Sequence, residues 1–314
     1  MGKGSYSYSS RMDRATVSGM MTNSLKDNFK SKEIIREMKT VDLEFRESRD
    51  SEEHPASVAI IIALDVTGSM GSVPRLREPI WAHHVQTSSE NDQDLLLSLD
   101  RARVYRALAQ VFRTPNTESI QQARDHYLPE LCEALERLTE DSDSVETSDL
   151  VARARVLSGI WSDSEAEQLC KGYHDAFDES SGKRSAPTEM DQLDGPPQLE
   201  LTRTFEMADV AGFYKAFGVE VGSGGERVDH IATELEFMNL LAVKESIALQ
   251  QEGEGEHARI CRDASRSFLR DHLGRWVRPF AENLEAAAAA PSYSEAGAFL
   301  SLWVAHDAAT LGEG

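Results

Sequence analysis

The chain has 314 residues, enough for one large domain or two ordinary ones, and a formal net charge of −21. Residues 1–78 hold equal numbers of acidic and basic side chains, so residues 79–314 hold the whole acidic excess. No basic patch is present to neutralise phosphates, which excludes nucleic acid as an expected partner. Beyond residue 78 only four lysines occur. This resembles proteins of salt-accumulating (halophilic) cytoplasms, with an ordinary acidic protein as the alternative.

The first residues, MGKGSYSYSS, lack the apolar segment of a secretory signal. The longest aliphatic run, Val58–Leu64, is too short to cross a bilayer. We therefore expect a cytoplasmic protein without stable membrane insertion. Three widely separated cysteines fit no metal or disulfide spacing, which predicts reduced, buried thiols; they are Cys132, Cys170 and Cys261.

Residues 58–64 are all apolar and mostly β-branched, as in a strand buried on both faces. They lead into Asp65-Val66-Thr67-Gly68-Ser69, which resembles the metal-ion-dependent adhesion motif of von Willebrand factor A domains. The resemblance implies that Asp65, Thr67 and Ser69 are candidate ligands of a Mg²⁺-like ion, for which hard oxygen ligands are suited.

Such a domain needs further strand–helix units to cover its sheet, and no further run of that kind follows Arg77. We therefore interpret residues 1–78 as an incomplete, partly disordered A-type fragment, either a native fusion or an artefact. Residues 79–94 contain adjacent histidines and are rich in Ser, Asn and Asp, which favours a linker.

Residues 95–314 show helical periodicity nearly throughout. Each apolar stripe must pack against another helix, which predicts an all-α, bundle-like domain of roughly eight helices. Residues 178–199 are polar and contain prolines, which predicts a long loop. Pro279 is expected to kink or divide a helix over residues 258–285.

The stretch Phe213–Leu241 organises this domain. It contains an aromatic helix end, a glycine-rich break and a helix with a buried stripe at Ile231, Leu235 and Met238. Asp229 precedes that helix and is predicted to cap it. His230 is then expected to lie exposed at the mouth of a site.

Glu226-x-x-Asp229-His230-Ile231 followed by Leu235-x-Phe237-Met238 resembles the hallmark of the TorD/DmsD/NarJ family of molybdoenzyme chaperones. Three further segments resemble motifs of that family in the same order, so the likeness covers about residues 90–311. They are Tyr105-x-x-Leu108-Ala109-x-x-Phe112-x-x-Pro115, Tyr173-x-x-x-Phe177 and Phe268-Leu269-x-x-His272-Leu273-x-x-Trp276-x-x-Pro279-Phe280.

The resemblance implies a TorD-type chaperone that binds the twin-arginine signal peptide of a molybdopterin oxidoreductase and assists cofactor insertion before export. Clients of such chaperones reduce dimethyl sulfoxide, trimethylamine N-oxide or nitrate, and the molybdopterin belongs to the client. We expect the chaperone itself to need no cofactor and to be a monomer or homodimer. The implied peptide-binding residues are Glu226, Asp229, His230, Tyr214 and Phe217.

No phosphate loop, nucleophile elbow or zinc-protease motif is present in the sequence, so we expect no enzymatic activity. For Trp276 and Phe280 we prefer a role in core packing. Two other functions stay open: a metal-dependent adhesion or scaffold protein based on the Asp65 motif, and a structural delta-type subunit that remains bound to its reductase.

Overall fold

A computed structural model describes residues 90–140, 144–177, 185–193, 200–221, 226–250, 255–287 and 289–312, all within one compact unit. In these ranges the chain is helical apart from short connections and one isolated antiparallel bridge, between Thr188 and His230. The helices are α1 (Glu90–Phe112), α2 (Thr117–Gln122), α3 (Leu128–Leu138), α4 (Val145–Asp163), α5 (Ala166–Phe177), α6 (Glu189–Gln192), α7 (Glu200–Ala216), α8 (Ile231–Gln250), α9 (Gly255–Phe268), α10 (Gly274–Ala286) and α11 (Pro291–Gly312).

Two π turns join neighbouring helices without a break: Ala123–Tyr127 links α2 to α3, and Leu269–Leu273 links α9 to α10. Counted as continuous rods, the described ranges hold nine helices, one of them a single four-residue turn. The prediction of an all-α domain is confirmed. No helix in these ranges is long and apolar enough to span a membrane.

The helical part begins earlier than the sequence predicted. Helix α1 starts at Glu90, so residues 90–94 of the expected linker are helical. These polar residues resembled a linker because they carry no apolar stripe.

Helix α8 lies at the centre of the domain and packs along α1 and against α9. Residues on nearly all of its faces are buried, including the predicted stripe at Ile231, Leu235 and Met238. A helix that is apolar on most faces belongs in an interior, because burying apolar surface is the main favourable term in folding. Its N-terminus therefore has a fixed position in the fold.

A buried ionic network crosses this interior. The Arg101 guanidinium of α1 pairs with Asp307 of α11 and, from Nη1, with the Glu245 carboxylate of α8 at 3.1 Å. Arg262 of α9 adds a second guanidinium to Glu245 at 2.7 Å. These buried ion pairs therefore link four helices, and each buried charge has a partner of opposite sign.

The aromatic motif residues of α5 and α10 form one cluster. Phe177 stacks on Phe280 with ring centroids 6.1 Å apart and contacts Tyr293 edge to face at 5.4 Å. Tyr173 extends the cluster through its own contact with Phe177. Trp276 and Phe280 are fully buried, which confirms their predicted role in the core.

Pro279 lies inside α10 and does not divide it, so the expected division is wrong, whereas the kink stays a prediction. The irregularity falls at the π turn Leu269–Leu273 instead. A proline inside a helix removes one N–H donor and crowds the carbonyl four residues earlier, here that of Arg275.

Cys132, Cys170 and Cys261 are all free thiols, as their spacing predicted. Cys261 is buried as expected, but the expectation is wrong for Cys132 and Cys170, which are only half-buried. Burial raises the pKa of the Cys132 and Cys261 thiols, which keeps both protonated and unreactive near neutral pH.

Candidate functional site

The turn Glu226–His230, which we call the Asp-His corner, is fixed by its backbone to the segment Ser185–Leu193. This segment lies within the region predicted as a loop, and it contains the short helix α6. The two hydrogen bonds run from Glu189 N–H to the Asp229 carbonyl at 2.9 Å and from Ile231 N–H to the Pro187 carbonyl at 2.8 Å.

The Asp229 side chain is fully buried. Its Oδ2 accepts a hydrogen bond from the Met190 N–H at 3.2 Å, and the Arg227 guanidinium pairs with both carboxylate oxygens at 2.9 and 2.8 Å. The prediction that Asp229 caps α8 is therefore wrong, because its carboxylate satisfies a free N–H group at the start of α6. The contact with Ser185–Leu193, which is distant in sequence, therefore determines which helix the Asp229 carboxylate caps.

His230 takes the capping role at α8. Its Nδ1 accepts a hydrogen bond from the Ala232 N–H at 3.2 Å. The side chain is 6% exposed, so the expectation that His230 lies open at the mouth of a site is wrong. Burial lowers the pKa of His230 although Glu226 and Asp229 act in the opposite direction, and the neutral imidazole is the form that can accept this bond.

Glu226 is the accessible carboxylate of the corner, with 37% of its side chain exposed. Its Oε1 accepts a hydrogen bond from the Thr114 hydroxyl at 3.0 Å, and its Oε2 lies 3.9 Å from His230 Nε2. In the part of the chain that the structure describes, no arginine or lysine forms an ion pair with Glu226. Asp191, in contrast, pairs with both Arg203 and Arg227.

Tyr214 and Phe217 pack beside the corner from the end of α7. The Tyr214 ring is buried against Phe237, and its hydroxyl donates to the Val228 carbonyl at 2.8 Å. Phe217 is half-buried and meets the same Phe237 ring at 5.9 Å. The predicted site residues thus lie together, with Glu226 and Phe217 partly accessible and the other three inside.

Behind the corner lies a buried polar cluster that sequence reasoning missed. His272 Nδ1 faces Glu189 Oε2 at 3.3 Å, and Trp276 Nε1 donates to Glu234 Oε2 at 3.1 Å. All four side chains are fully buried. Burial, reinforced by the nearby Glu189 carboxylate, raises the pKa of Glu234 well above its usual range. The sequence held an indication of this cluster. Glu234 is a charged residue among apolar ones, and His272 and Trp276 are four residues apart, a spacing that places two side chains on one face of a helix.

The proposed magnesium ligands Asp65, Thr67 and Ser69 lie outside the described residues, together with the whole of residues 1–78.

Comparison with known proteins decides the family. The nitrate reductase delta subunit family matches residues 117–282, more than half of the chain. The chain belongs to the nitrate reductase delta subunit family. The match runs from the start of α2 into α10 and contains the Asp-His corner, Ser185–Leu193 and the buried cluster. It confirms the resemblance to TorD, DmsD and NarJ, and residues 1–116 lie outside it.

Two individual relatives are also similar to this family member. The selenate reductase assembly chaperone protein of Thauera selenatis is 31% identical over 148 residues, which cover 47% of this chain and 72% of the relative. The chlorate reductase assembly chaperone protein of Ideonella dechloratans is 34% identical over 98 residues, which cover 31% of this chain and 49% of the relative. No solved structure gives a significant match.

Proposed function

We propose that this chain is a redox-enzyme maturation chaperone that assists the assembly of a molybdopterin oxidoreductase and catalyses no reaction itself. The observation that carries the proposal is its similarity to two reductase assembly chaperones, within a family match of more than half the chain. The client is held in the cytoplasm until its molybdenum cofactor has been inserted. Reductases of dimethyl sulfoxide, trimethylamine N-oxide, nitrate and related oxyanions are the client class.

The client is recognised through its twin-arginine leader, and Glu226 is the carboxylate that receives it. A guanidinium forms strong, charge-assisted hydrogen bonds with a carboxylate, often in bidentate geometry. Glu226 is partly exposed and is bonded to a neutral hydroxyl, whereas Asp191 already holds two guanidinium groups. Phe217 lies half-buried nearby and provides apolar contact for the segment that follows the arginines.

Asp229, His230 and Tyr214 support this site from the interior. They fix the backbone of the Asp-His corner through the Met190 N–H, the Ala232 N–H and the Val228 carbonyl. Their side chains are buried, so they act as positioning residues and do not contact the leader directly.

Calorimetry with synthetic leader peptides tests the recognition step. A peptide with two adjacent arginines before an apolar segment should bind the full chain, and a twin-lysine version should bind more weakly because lysine cannot form the bidentate pair. Glu226→Gln should weaken binding about three- to tenfold. Glu282→Gln removes a carboxylate that is 63% exposed on α10 and should change nothing. Equal affinity of the wild-type and Glu226→Gln chains would refute the assigned role of Glu226.

The matching family is described as reductase delta subunits, which favours one second candidate, a structural subunit of the finished enzyme. Affinity capture of the full chain from cells separates the two functions. Capture of a reductase precursor that retains its leader and lacks molybdopterin supports the chaperone. A stable complex with the mature, cofactor-loaded reductase supports the subunit instead.

A further inference from the structure

We propose that Glu189, Glu206 and His272 form a binding site for a first-row divalent metal ion, of which Zn²⁺ is the best fit. One potential ligand atom from each of the three side chains lies within 4.8 Å of the other two. The inference does not depend on the chaperone function, because metal binding can be measured on the isolated full chain.

The three side chains come from separate elements that the fold brings together. Glu189 begins α6, Glu206 belongs to α7, and His272 belongs to the π turn between α9 and α10. Single π turns inside α-helices are often found at functional sites, because they redirect a side chain away from regular helical geometry. Here the turn directs an imidazole toward two carboxylates.

Unsatisfied polar atoms give a second, independent indication of a ligand. Glu189 Oε1 and His272 Nε2 are buried and have no hydrogen-bond partner among the described residues. Both side chains are completely inaccessible. The neighbours that remain are ion-pair contacts at longer range, Arg275 Nη1 at 3.9 Å from Glu189 and Asp209 at 3.4 Å from His272. Leaving buried polar atoms without hydrogen bonds is costly, which favours a species that would complete them.

The donor chemistry points to the class of metal. One imidazole and two carboxylates match the nitrogen and oxygen ligands of zinc sites, in which three protein groups can leave one position open. Bonds of about 2.1 Å would place tetrahedral ligand atoms roughly 3.4 Å apart. The most distant ligand atoms therefore need to approach by up to about 1.4 Å, which side-chain rotation of the partly exposed Glu206 can supply.

The surroundings also suit a bound cation. Phe213 and Phe268 pack against the His272 ring, with centroids 5.4 and 5.1 Å away. An apolar wall excludes water and strengthens electrostatic interactions within the cluster. Arg275 is the competing positive charge, since its Nη1 lies 3.4 Å from Glu206, and its side chain is 41% exposed and able to move outward.

Bound metal would connect the Asp-His corner to the rest of the domain. Glu189 donates its N–H to the Asp229 carbonyl, so an ion on the Glu189 side chain would tie Ser185–Leu193 to α7 and to the π turn. The metal would act as a structural clamp behind the corner.

The test measures binding of Zn²⁺ and of Mn²⁺ to the chelator-treated full chain by equilibrium dialysis with elemental analysis. The expected result is about one saturable equivalent per chain with preference for Zn²⁺, and an upward shift of the unfolding temperature. Co²⁺ substitution should give the visible absorption of a low-symmetry site with a nitrogen ligand. Absence of a saturable equivalent for Zn²⁺ would overturn the proposal.

Variants locate the site and distinguish it from a purely ionic cluster. Glu206→Gln and His272→Gln should each lower Zn²⁺ affinity at least tenfold, whereas His126→Gln, at an exposed position in the other π turn, should not. Arg275→Gln removes the competing cation and should raise the affinity. If Arg275→Gln only destabilises the chain and gains no affinity, the cluster is an ion-pair network and the metal assignment fails.

Discussion

The Arg101 guanidinium donates to both carboxylate oxygens of Asp307, with Nε–Oδ1 at 2.6 Å and Nη2–Oδ2 at 3.2 Å. The two side chains are 7% and 1% exposed and join α1, the first described helix, to α11, the last. Arg101 also pairs with Glu245 of α8, so the first and last described helices are both linked to the central helix. It replaces apolar packing with a charge pair at the centre of the fold.

Arg101→Met should destabilise the domain by about 3–5 kcal/mol, because Asp307 and Glu245 then lose a buried positive partner. Urea unfolding of the wild-type and variant chains measures the loss. Arg278→Met breaks the pair with Glu282 on an exposed face of α10, where the cost should stay below about 1 kcal/mol. Similar losses in the two variants would contradict the importance assigned to burial.

Asp229→Ala should reduce the free energy of unfolding by about 1–3 kcal/mol, because the buried Met190 N–H loses its acceptor. Asp229→Asn keeps an oxygen for that N–H group and should lose less. The measurement is chemical unfolding, followed by peptide binding at concentrations where each variant is folded. An unchanged stability of Asp229→Ala would mean that the buried contact with α6 contributes little.

The free energy of unfolding should decrease on acidification because His230 takes up a proton on unfolding. Its pKa is lowered in the folded chain, so the associated stability is fully present above the unfolded pKa of about 6.5 and is lost as pH falls through the folded pKa. In that window the unfolded chain takes up a proton that the folded chain excludes. Unfolding curves at a series of pH values from 8 to 5 record the loss.

His230→Asn should flatten this pH dependence while keeping an acceptor for the Ala232 N–H. His126→Gln changes an exposed histidine and should leave the slope of the wild-type chain intact. A slope that persists in His230→Asn would assign the proton uptake to another group.

Replacing two helical glycines with alanine should change the stability of the chain in opposite directions. At Gly159 in α4 an added Cβ meets nothing within 4 Å, so Gly159→Ala should stabilise the chain by about 0.5–1 kcal/mol. At Gly274 the Cβ would lie 2.3 Å from the Leu269 carbonyl oxygen, and the backbone would have to shift. Gly274→Ala should therefore lower the unfolding temperature, and a rise at both positions would contradict the geometry of the π turn.

Local patterns predicted most of the fold. The stripe of Ile231, Leu235 and Met238 is buried as its spacing indicated, and the described part of the domain is all-α as expected. Tyr173 lies in the core, and the half-buried Phe177 packs against it. These features depend on the period of the chain and on apolar side chains avoiding water, both of which are visible in sequence.

The candidate site was harder to predict because distant segments determine it. Asp229 serves α6 through Met190, which is 39 positions away, so the local capping rule selected the wrong helix. The His230 backbone is bridged to Thr188 of Ser185–Leu193, a segment whose polar sequence indicated only a loop. His272 meets Glu189 across 83 positions, and no spacing rule connects them.

The π turn at Leu269–Leu273 also determines where the continuous helix formed by α9, this turn and α10 can lose a residue. Its hydrogen bonds span five residues where α-helical bonds span four, so the rod holds one surplus residue at that point. Losing exposed Arg270 would leave α9 and α10 facing the same neighbours, whereas a deletion inside either helix would rotate all later side chains by about 100°. A relative one residue shorter at this turn could keep the same interior and yet lose the orientation of its imidazole.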